Sequence, residues 1–599
     1  MIRHVIAVGW RQLLLLGALF AFAGLIAQNL VYWQVTQHAR LAQAAAGIYD
    51  SQTNLPALRG RIYDANSRLL VTDVPAFLLA ADPRSIARPR YDAARLARVL
   101  HRDPGPILAK LETPPPVRYV VIQHQVDGPT AAAVRALALP GIILTPTSRA
   151  SYPQGALAAP VLGFVNANGV GQYGLEQAYN GVLAGRDGSQ LIYVDTAKRS
   201  LPVGIQRPRP AVQGASLVLT IDVRIQAIVE QRLAAALRRY GATSGTAIVM
   251  DPHTGAILAM ASLPSYDPNH YNQVADPRLY GNLALQTYQP GSTFKIISVA
   301  AGLDSGAFTT KTTVNDPGYY QNDGITVHNW QVGIGWGAET PEIMLQHSAN
   351  VGMAQFATME GPLRFYKYVV DRFGFNAPTG IDLPGEWPGD VRSPGHGRWQ
   401  LMDLLTNSYG QGIDATPLQL TTAVAALANG GWRMRPYVVQ RIQYPDHHSW
   451  IARPRRLARA VRAATAETMT HLLQQSAYNG EAMCALTANY PVAAKTGTAT
   501  IEQPAAHGLN LAAGTVASLV GWAPANNPRF VMLVTVTHPQ PGPGGRNIYG
   551  AVVAAPAWHD IAVNLYRLLG LTPQPGSTPP DLAELQRSRA WMCDFMPRP

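Results

Sequence analysis

The first strong pattern along the chain is a single long apolar run. Residues 13–33 read LLLLGALFAFAGLIAQNLVYW with no acidic or basic side chain, and about 20 apolar residues are what a helix needs to cross a hydrocarbon layer. Arg3, His4 and Arg11 precede it, so the positive-inside tendency predicts a short cytoplasmic tip, an extracytoplasmic remainder, and Tyr32 and Trp33 at the outer interface. Ala21-Phe22-Ala23 has the small-residue spacing of a signal cleavage site. Cutting there would fall in mid-run and strand Leu25, Ile26 and Leu30, which favours an uncleaved anchor.

Behind the span the periodicity is short and broken. Pieces such as 77–81 and 119–122 read as strands, Pro and Gly interrupt them, and 91–110 reads as one helical stretch. From residue 216 the pattern tightens: 217–221 is strand-like and 223–239 an amphipathic helix. In TAIVMDPHTGAILAMAS two apolar strands flank the turn 251–255, a hairpin signal. A second strand pair, 516–522 and 529–536, and a helix over 551–569 come far later. Antiparallel strands at both ends of a mostly helical stretch predict one α/β (α+β) domain whose sheet is assembled from distant segments. With 599 residues the chain exceeds one core. The expected organisation is a tip and transmembrane anchor over 1–40, an N-terminal pedestal over 41–215, a catalytic domain over 216–572 and a Pro-rich tail over 573–599.

The composition, 47% hydrophobic and 14% charged, is that of a folded protein. A net charge of +12 raises nucleic acid as a partner, but the basic residues are scattered without aromatic interleaving, so no nucleic-acid role is read from them. Attraction to anionic lipid or wall polymer accounts for the charge. Neither the fifteen histidines nor the two cysteines, Cys484 and Cys593, show metal spacing, so no metal or cofactor is expected. Sequence leaves open whether the two cysteines pair. His447-His448 reads as a polar loop, and Glu176 and Glu386 as structural carboxylates.

The chemistry concentrates in three places. In QPGSTFKIISVAAGL, Pro290 and Gly291 break the chain, Ser292 falls in the first turn of a helix and Lys295 follows three residues later, on the same face. A helix N-terminus supplies N–H groups and a field that favours negative charge, so an activated serine and a stabilised oxyanion can be built there. Alone, a Ser-x-x-Lys is an ordinary capped helix. Ser348-Ala349-Asn350, however, heads a further helical run, and Lys495-Thr496-Gly497-Thr498 lies on the strand-like YPVAAKTGTATI. A cation and hydroxyls suit a carboxylate, and a glycine lets substrate approach the backbone. Lysine usage sharpens the reading: six of forty-eight basic residues are lysine, and two of the six are Lys295 and Lys495. Arginine cannot give up its proton in a protein, whereas a buried lysine can be tuned toward neutrality.

The ordered set Ser-x-x-Lys, Ser-x-Asn, Lys-Thr-Gly resembles the penicillin-binding protein and serine β-lactamase superfamily. The segments DPHTGAILAMAS, QPGSTFK, SANVGMA, FGFNAPTGIDLPGE, SYGQGIDATPLQLTTAVAALANGG and VAAKTGTAT narrow it to class B penicillin-binding proteins, and the resemblance covers roughly residues 55 to 570. In the N-terminal module, 59–66 and 171–188 look like family motifs, with two departures: the usual Asn-Gly is Asn66-Ser67, and Arg149 stands one residue further than usual from Tyr152-Pro153.

The resemblance implies an antiparallel sheet sandwiched by helices on an elongated pedestal. It implies Ser292 as nucleophile, Lys295 as base, Ser348 and Asn350 in the cleft, and Lys495, Thr496 and Thr498 on the substrate carboxylate. Gly497 would keep the strand edge open, and the N–H groups of Ser292 and Thr498 would form the oxyanion hole. Implied partners are peptidoglycan stem peptides, β-lactam antibiotics and a separate membrane glycan polymerase of the SEDS family. The rivals are a D,D-carboxypeptidase or β-lactamase, which admits water to the acyl-enzyme, and a non-catalytic sensor or scaffold, for which a damaged motif would speak. All three motifs are intact.

Overall fold

In the computed structural model, residues 9–41, 50–193, 206–395, 397, 399–500, 503–505, 508–510, 514–541, 548–577, 581–582 and 584 are described. The cytoplasmic tip and Cys593 therefore lie outside the described residues. Contacts divide the chain into two units, Met1–Ala57 with Gly185–Gln213, and Leu58–Ala184 with Gly214–Pro599.

The first unit carries the apolar helix, Trp10–Val31, continued by a π-helical turn Tyr32–Thr36. Within Trp10–Thr36 an 18-residue window has a mean hydropathy of 2.0, and none of that window is buried among the described residues. The unit also holds an antiparallel sheet of Asp50–Leu55, Gly188–Tyr193 and Gln206–Arg209.

The second unit is built around two sheets. The larger one runs Ser449–Ile451, Val439–Gln443, Ser216–Leu219, Ile62–Tyr63, Leu69–Ala81 and Val120–Asp127, with Ile142–Ser151 also paired to Leu69–Ala81. Its strand Ser216–Leu219 lies parallel to Ile62–Tyr63. The strand-like stretch at 217–221 thus pairs with Ile62–Tyr63 on one side and Val439–Gln443 on the other, outside the second, five-stranded sheet. The short piece expected at 77–81 is the end of a long strand, because Thr72–Ala81 finds a partner over ten consecutive residues of Ile142–Ser151. The single helix expected over 91–110 is two, Pro89–Leu100 and Pro104–Leu111. His101 takes a left-handed φ of 52°, and Asp103 caps the second helix by accepting from Gly105 N at 2.9 Å. Pro104 lacks the N–H and the room to continue a helix through it. Ser67, standing where the family has glycine, adopts φ 64°, a conformation that costs a residue with a Cβ.

The second sheet is antiparallel and five-stranded, in the order Ile257–Leu263, Ser244–Met250, Phe530–Thr537, Thr515–Ala523, Ala493–Thr500. It joins segments more than 240 residues apart, as the sequence pattern predicts. Side chains alternate between faces with period 2, and both faces are covered, so the strands read as nearly continuous apolar runs. Ala247 and Val249 pack with Val229 and Leu233 of the helix Val223–Arg239 and with Trp558 and Ile561 of Gly550–Leu568. Ile248 and Met250 face the opposite core with Phe294, Leu420 and Val424. Cys484 is buried in the first of these cores. Ala493–Thr500 is the sheet's outer strand, so one backbone edge of the Lys-Thr-Gly segment is unpaired within the sheet.

Candidate active site

The break at Pro290-Gly291 does what its composition predicts. Gly291 takes φ 57° and donates its N–H to Gly410 O at 2.9 Å. A Cβ on Gly410 would sit 2.1 Å from Gly291 O, so this crossing of two backbones requires glycine. A 3-10 turn, Gly291–Phe294, then leads into the α-helix Lys295–Ser305. In a 3-10 turn residues three apart eclipse one another, which places half-buried Ser292 over fully buried Lys295.

Ser348 forms the joint between the helices Pro341–His347 and Asn350–Glu360, with φ 54°. That left-handed turn presents its carbonyl and hydroxyl to two different lysines. Lys295 Nζ donates to Ser348 O at 2.5 Å and to Asn350 Oδ1 at 2.9 Å. Lys495 Nζ donates to Ser348 Oγ at 2.9 Å. Asn350 is held in turn: its N–H donates to Asn329 Oδ1 at 2.9 Å, and Asn329 Nδ2 donates to Asp316 Oδ2 at 2.7 Å. Among the described residues no hydrogen bond reaches Ser292 Oγ.

Along the outer strand, Lys495 and Gly497 point to one face, Thr496 and Thr498 to the other. A Cβ on Gly497 would meet Thr293 Cγ2 at 2.8 Å and Ser518 Oγ at 2.6 Å, so glycine is what lets the turn that carries Ser292 pack against this strand. Gly550 N, at the start of the helix Gly550–Leu568, donates to Thr498 Oγ1 at 3.1 Å, and among the described residues nothing accepts the Thr498 hydroxyl proton. Thr496 Oγ1 instead donates to Glu481 Oε2 at 2.8 Å, and that oxygen lies 3.9 Å from Lys495 Nζ.

Burial, reinforced by the positive charge of Lys495, holds the Lys295 amine well below the ordinary lysine range; Glu481 and Glu339 oppose this. Burial also lowers Lys495, with Glu481 opposing. Glu339, buried near Asp316, is pushed up to about 8, and Lys295 works against that rise. Desolvation therefore outweighs the charge pairs at each of these groups. A cavity of ≈ 610 Å³ opens over the site, lined by Ser292, Ser348, Asn350, Gly497, Thr498 and Glu481 among others. Trp330 and Tyr549, with ring centroids 5.3 Å apart, form part of its wall.

All eight residues singled out in the sequence, Ser292, Lys295, Ser348, Asn350, Lys495, Thr496, Gly497 and Thr498, are thus brought to one cleft or directly behind it. Sequence reasoning missed Glu481, Asn329 and Glu339. None sits in a recognisable spacing, so no local signal singles them out. Glu176 pairs with Arg59 inside the N-terminal module, the structural role expected of it.

A base beside a serine, an oriented amide and an open strand edge together suit serine acyl transfer. Residues 245–562 match the penicillin binding protein transpeptidase domain and 54–219 the penicillin-binding protein dimerisation domain. Stage V sporulation protein D of Bacillus subtilis is 31% identical over 92% of this chain and 84% of its own length. Peptidoglycan D,D-transpeptidase FtsI of Escherichia coli is 28% identical over 95% of this chain and 94% of its own. Penicillin binding protein 3 from Mycobacterium tuberculosis, solved in complex with aztreonam, aligns with a TM-score of 0.66 at 28% identity, covering 87% of this chain and 98% of that one. The chain belongs to the class B penicillin-binding proteins.

Proposed function

We propose that this protein is a peptidoglycan D,D-transpeptidase that forms an acyl-enzyme on Ser292. The observation that carries the reading is the state of Lys295. Its amine is buried and its protonated form disfavoured, and its two hydrogen bonds run to Ser348 O and Asn350 Oδ1. A neutral amine has two N–H bonds. With both committed, its lone pair is left for the proton of Ser292, its eclipsed neighbour in the turn.

In this reading Ser292 Oγ attacks the carbonyl carbon of the D-Ala-D-Ala bond while Lys295 Nζ takes the hydroxyl proton. The N–H groups of Ser292 and Thr498 receive the oxyanion. The bond to the terminal D-alanine breaks, and that residue leaves with a proton on its amine. The amine of a neighbouring stem then attacks the Ser292 ester, forms the cross-link and returns the hydroxyl. Lys495, Thr496 and Thr498 hold the stem's carboxylate, Ser348 and Asn350 relay protons and fix the peptide, and Gly497 leaves room for it along the strand. The same steps with a β-lactam ring leave a penicilloyl ester. The relatives' names, peptidoglycan D,D-transpeptidase and penicillin binding protein, support the substrate class.

Intact mass spectrometry with peptide mapping tests this. One benzylpenicillin adduct on Ser292, lost slowly, is expected; an adduct mapped elsewhere removes the nucleophile assignment, and rapid turnover favours the β-lactamase alternative. The exposed helix Trp10–Thr36 supports single-pass insertion in a bacterial cytoplasmic membrane with the catalytic cleft outside, which protease accessibility in spheroplasts checks. The glycan strands would then come from a separate SEDS-family polymerase, a partner that the resemblance to class B penicillin-binding proteins supports.

A further inference from the structure

The carboxylate anchor contains an acid. Glu481 follows Gly480 just after the helix Ala463–Asn479, and that position is fixed by crowding: a Cβ on Gly480 would come 2.5 Å from Gln346 O. Its side chain is 27% exposed and borders the cleft. Its oxygen Oε2 accepts from Thr496 Oγ1 at 2.8 Å and lies 3.9 Å from Lys495 Nζ. The distance to Lys495 is too long for a direct hydrogen bond, yet well within range of a strong Coulomb interaction.

Two consequences follow for an incoming carboxylate. The Thr496 hydroxyl proton is committed to Glu481 and must leave it to reach the anion, and the Lys495 ammonium already donates to Ser348 Oγ, Thr496 O and Thr496 Oγ1, so among the described residues Thr498 Oγ1 is the uncommitted donor of the three. The arriving anion must also share that ammonium with a fixed anion, in a partly desolvated pocket where like charges repel more strongly than in water. An acid there weakens the binding of what the site is built to bind.

We propose that Glu481 is a specificity-determining residue of the carboxylate subsite, selecting against ligands that present a full negative charge to Lys495 and Thr496 relative to neutral ones. The proposal rests on the assignment of the anchor made above. It predicts that the anion enters the subsite against Glu481, so removal of that charge raises affinity in the first, noncovalent step and leaves the acylation step alone.

The test uses the full chain in detergent and two probes, benzylpenicillin and its methyl ester, whose difference is one negative charge at the anchor. Glu481→Gln keeps an acceptor for Thr496 and removes the charge. The noncovalent constant and the acylation rate are separated from the concentration dependence of adduct formation at Ser292, followed by intact mass. For benzylpenicillin the second-order constant should rise about tenfold, about 1.4 kcal/mol, wholly through tighter initial binding; for the methyl ester it should stay within about twofold. Equal changes with both probes would make Glu481 a merely structural contact and overturn the proposal. A fall with benzylpenicillin alone would overturn it as well, showing that Glu481 serves to keep Lys495 charged. Glu481→Ala guards against a misplaced glutamine, since it must show the same preference between probes. If instead neither wild type nor variant gains an adduct at Ser292, it is the acyl-enzyme assignment that fails.

Discussion

Arg59 and Lys295 are both buried basic side chains in the same structural unit, but Arg59 is matched to a carboxylate and Lys295 is set beside another cation. Arg59 Nε donates to Glu176 Oε2 at 2.7 Å, its Nη1 to Asn180 Oδ1 at 3.0 Å and its Nη2 to Glu176 O at 3.2 Å. The guanidinium fork is spent on fixed acceptors, Glu176 and Asn180. Lys295 meets a carbonyl and an amide, no carboxylate among the described residues bonds it, and the Lys495 charge disfavours its own. The first arrangement fixes a charge; the second makes it easy to remove. That contrast is the one expected between a structural ion pair and the base proposed for Lys295, and it fits the residue types, since of the two only lysine can be discharged.

The sharpest way to break the comparison is to give the cleft an arginine. Lys295→Arg keeps the cation and loses the lone pair, so acylation of Ser292 should slow by about 100- to 10,000-fold, the usual contribution of a general base. Lys495→Arg keeps the charge that the anchor needs and should retain a measurable fraction. Fluorescent penicillin labelling rates on folded protein decide it, with melting temperature as control. Near-normal labelling of Lys295→Arg would remove Lys295 from the base role.

The opposite substitution probes the N-terminal module. Glu176→Ala leaves Arg59 buried without its carboxylate, and breaking such a pair typically costs about 3–5 kcal/mol. Burial already raises the Glu176 carboxyl above its usual range despite Arg59, so the lower end is expected. Chemical denaturation should show the loss, while the acylation rate of the remaining folded protein should match wild type. A rate that falls with stability retained would mean the module acts on the cleft and not merely beneath it.

The sequence disclosed the chemistry more fully than the frame around it. Ser292, Lys295, Ser348, Asn350 and the Lys495–Thr498 strand were legible as candidates because the proposed acyl transfer demands such side chains at such local spacings, within one turn or one strand. The helix Val223–Arg239 and the two strand pairs of the catalytic sheet were legible for the same local reason, through periodicity and turn residues. What was not legible depends on distant partners. Ser216–Leu219 reads as a strand, but nothing local says that it pairs with Ile62–Tyr63 and Val439–Gln443. Glu481 is a lone acid after a helix, and only the fold carries it to Lys495 and Thr496.

The least effect is expected at Glu360, the last residue of the helix that begins at Asn350, and it extends the comparison to a buried acid with neither partner nor task. Glu360 is 3% exposed and, among the described residues, neither carboxyl oxygen has a hydrogen-bond partner. Burial pushes it up to about 8, against the pull of Arg364, and a carboxylate is also disfavoured at a helix C-terminus. Between pH 4.5 and about 8 the folded protein holds a proton there that the unfolded chain has released. Its contribution to stability therefore falls as pH rises through that window. Glu360→Gln replaces the neutral acid by a neutral amide of the same shape and removes the dependence. The variant should match wild type at pH 5 and exceed it at pH 8 by about 1–3 kcal/mol, read as a rise in melting temperature of about 2–4 °C per kcal/mol. A gain of equal size at both pH values would reflect packing, and a loss at pH 8 would mean that the carboxylate has a partner and is not an idle charge.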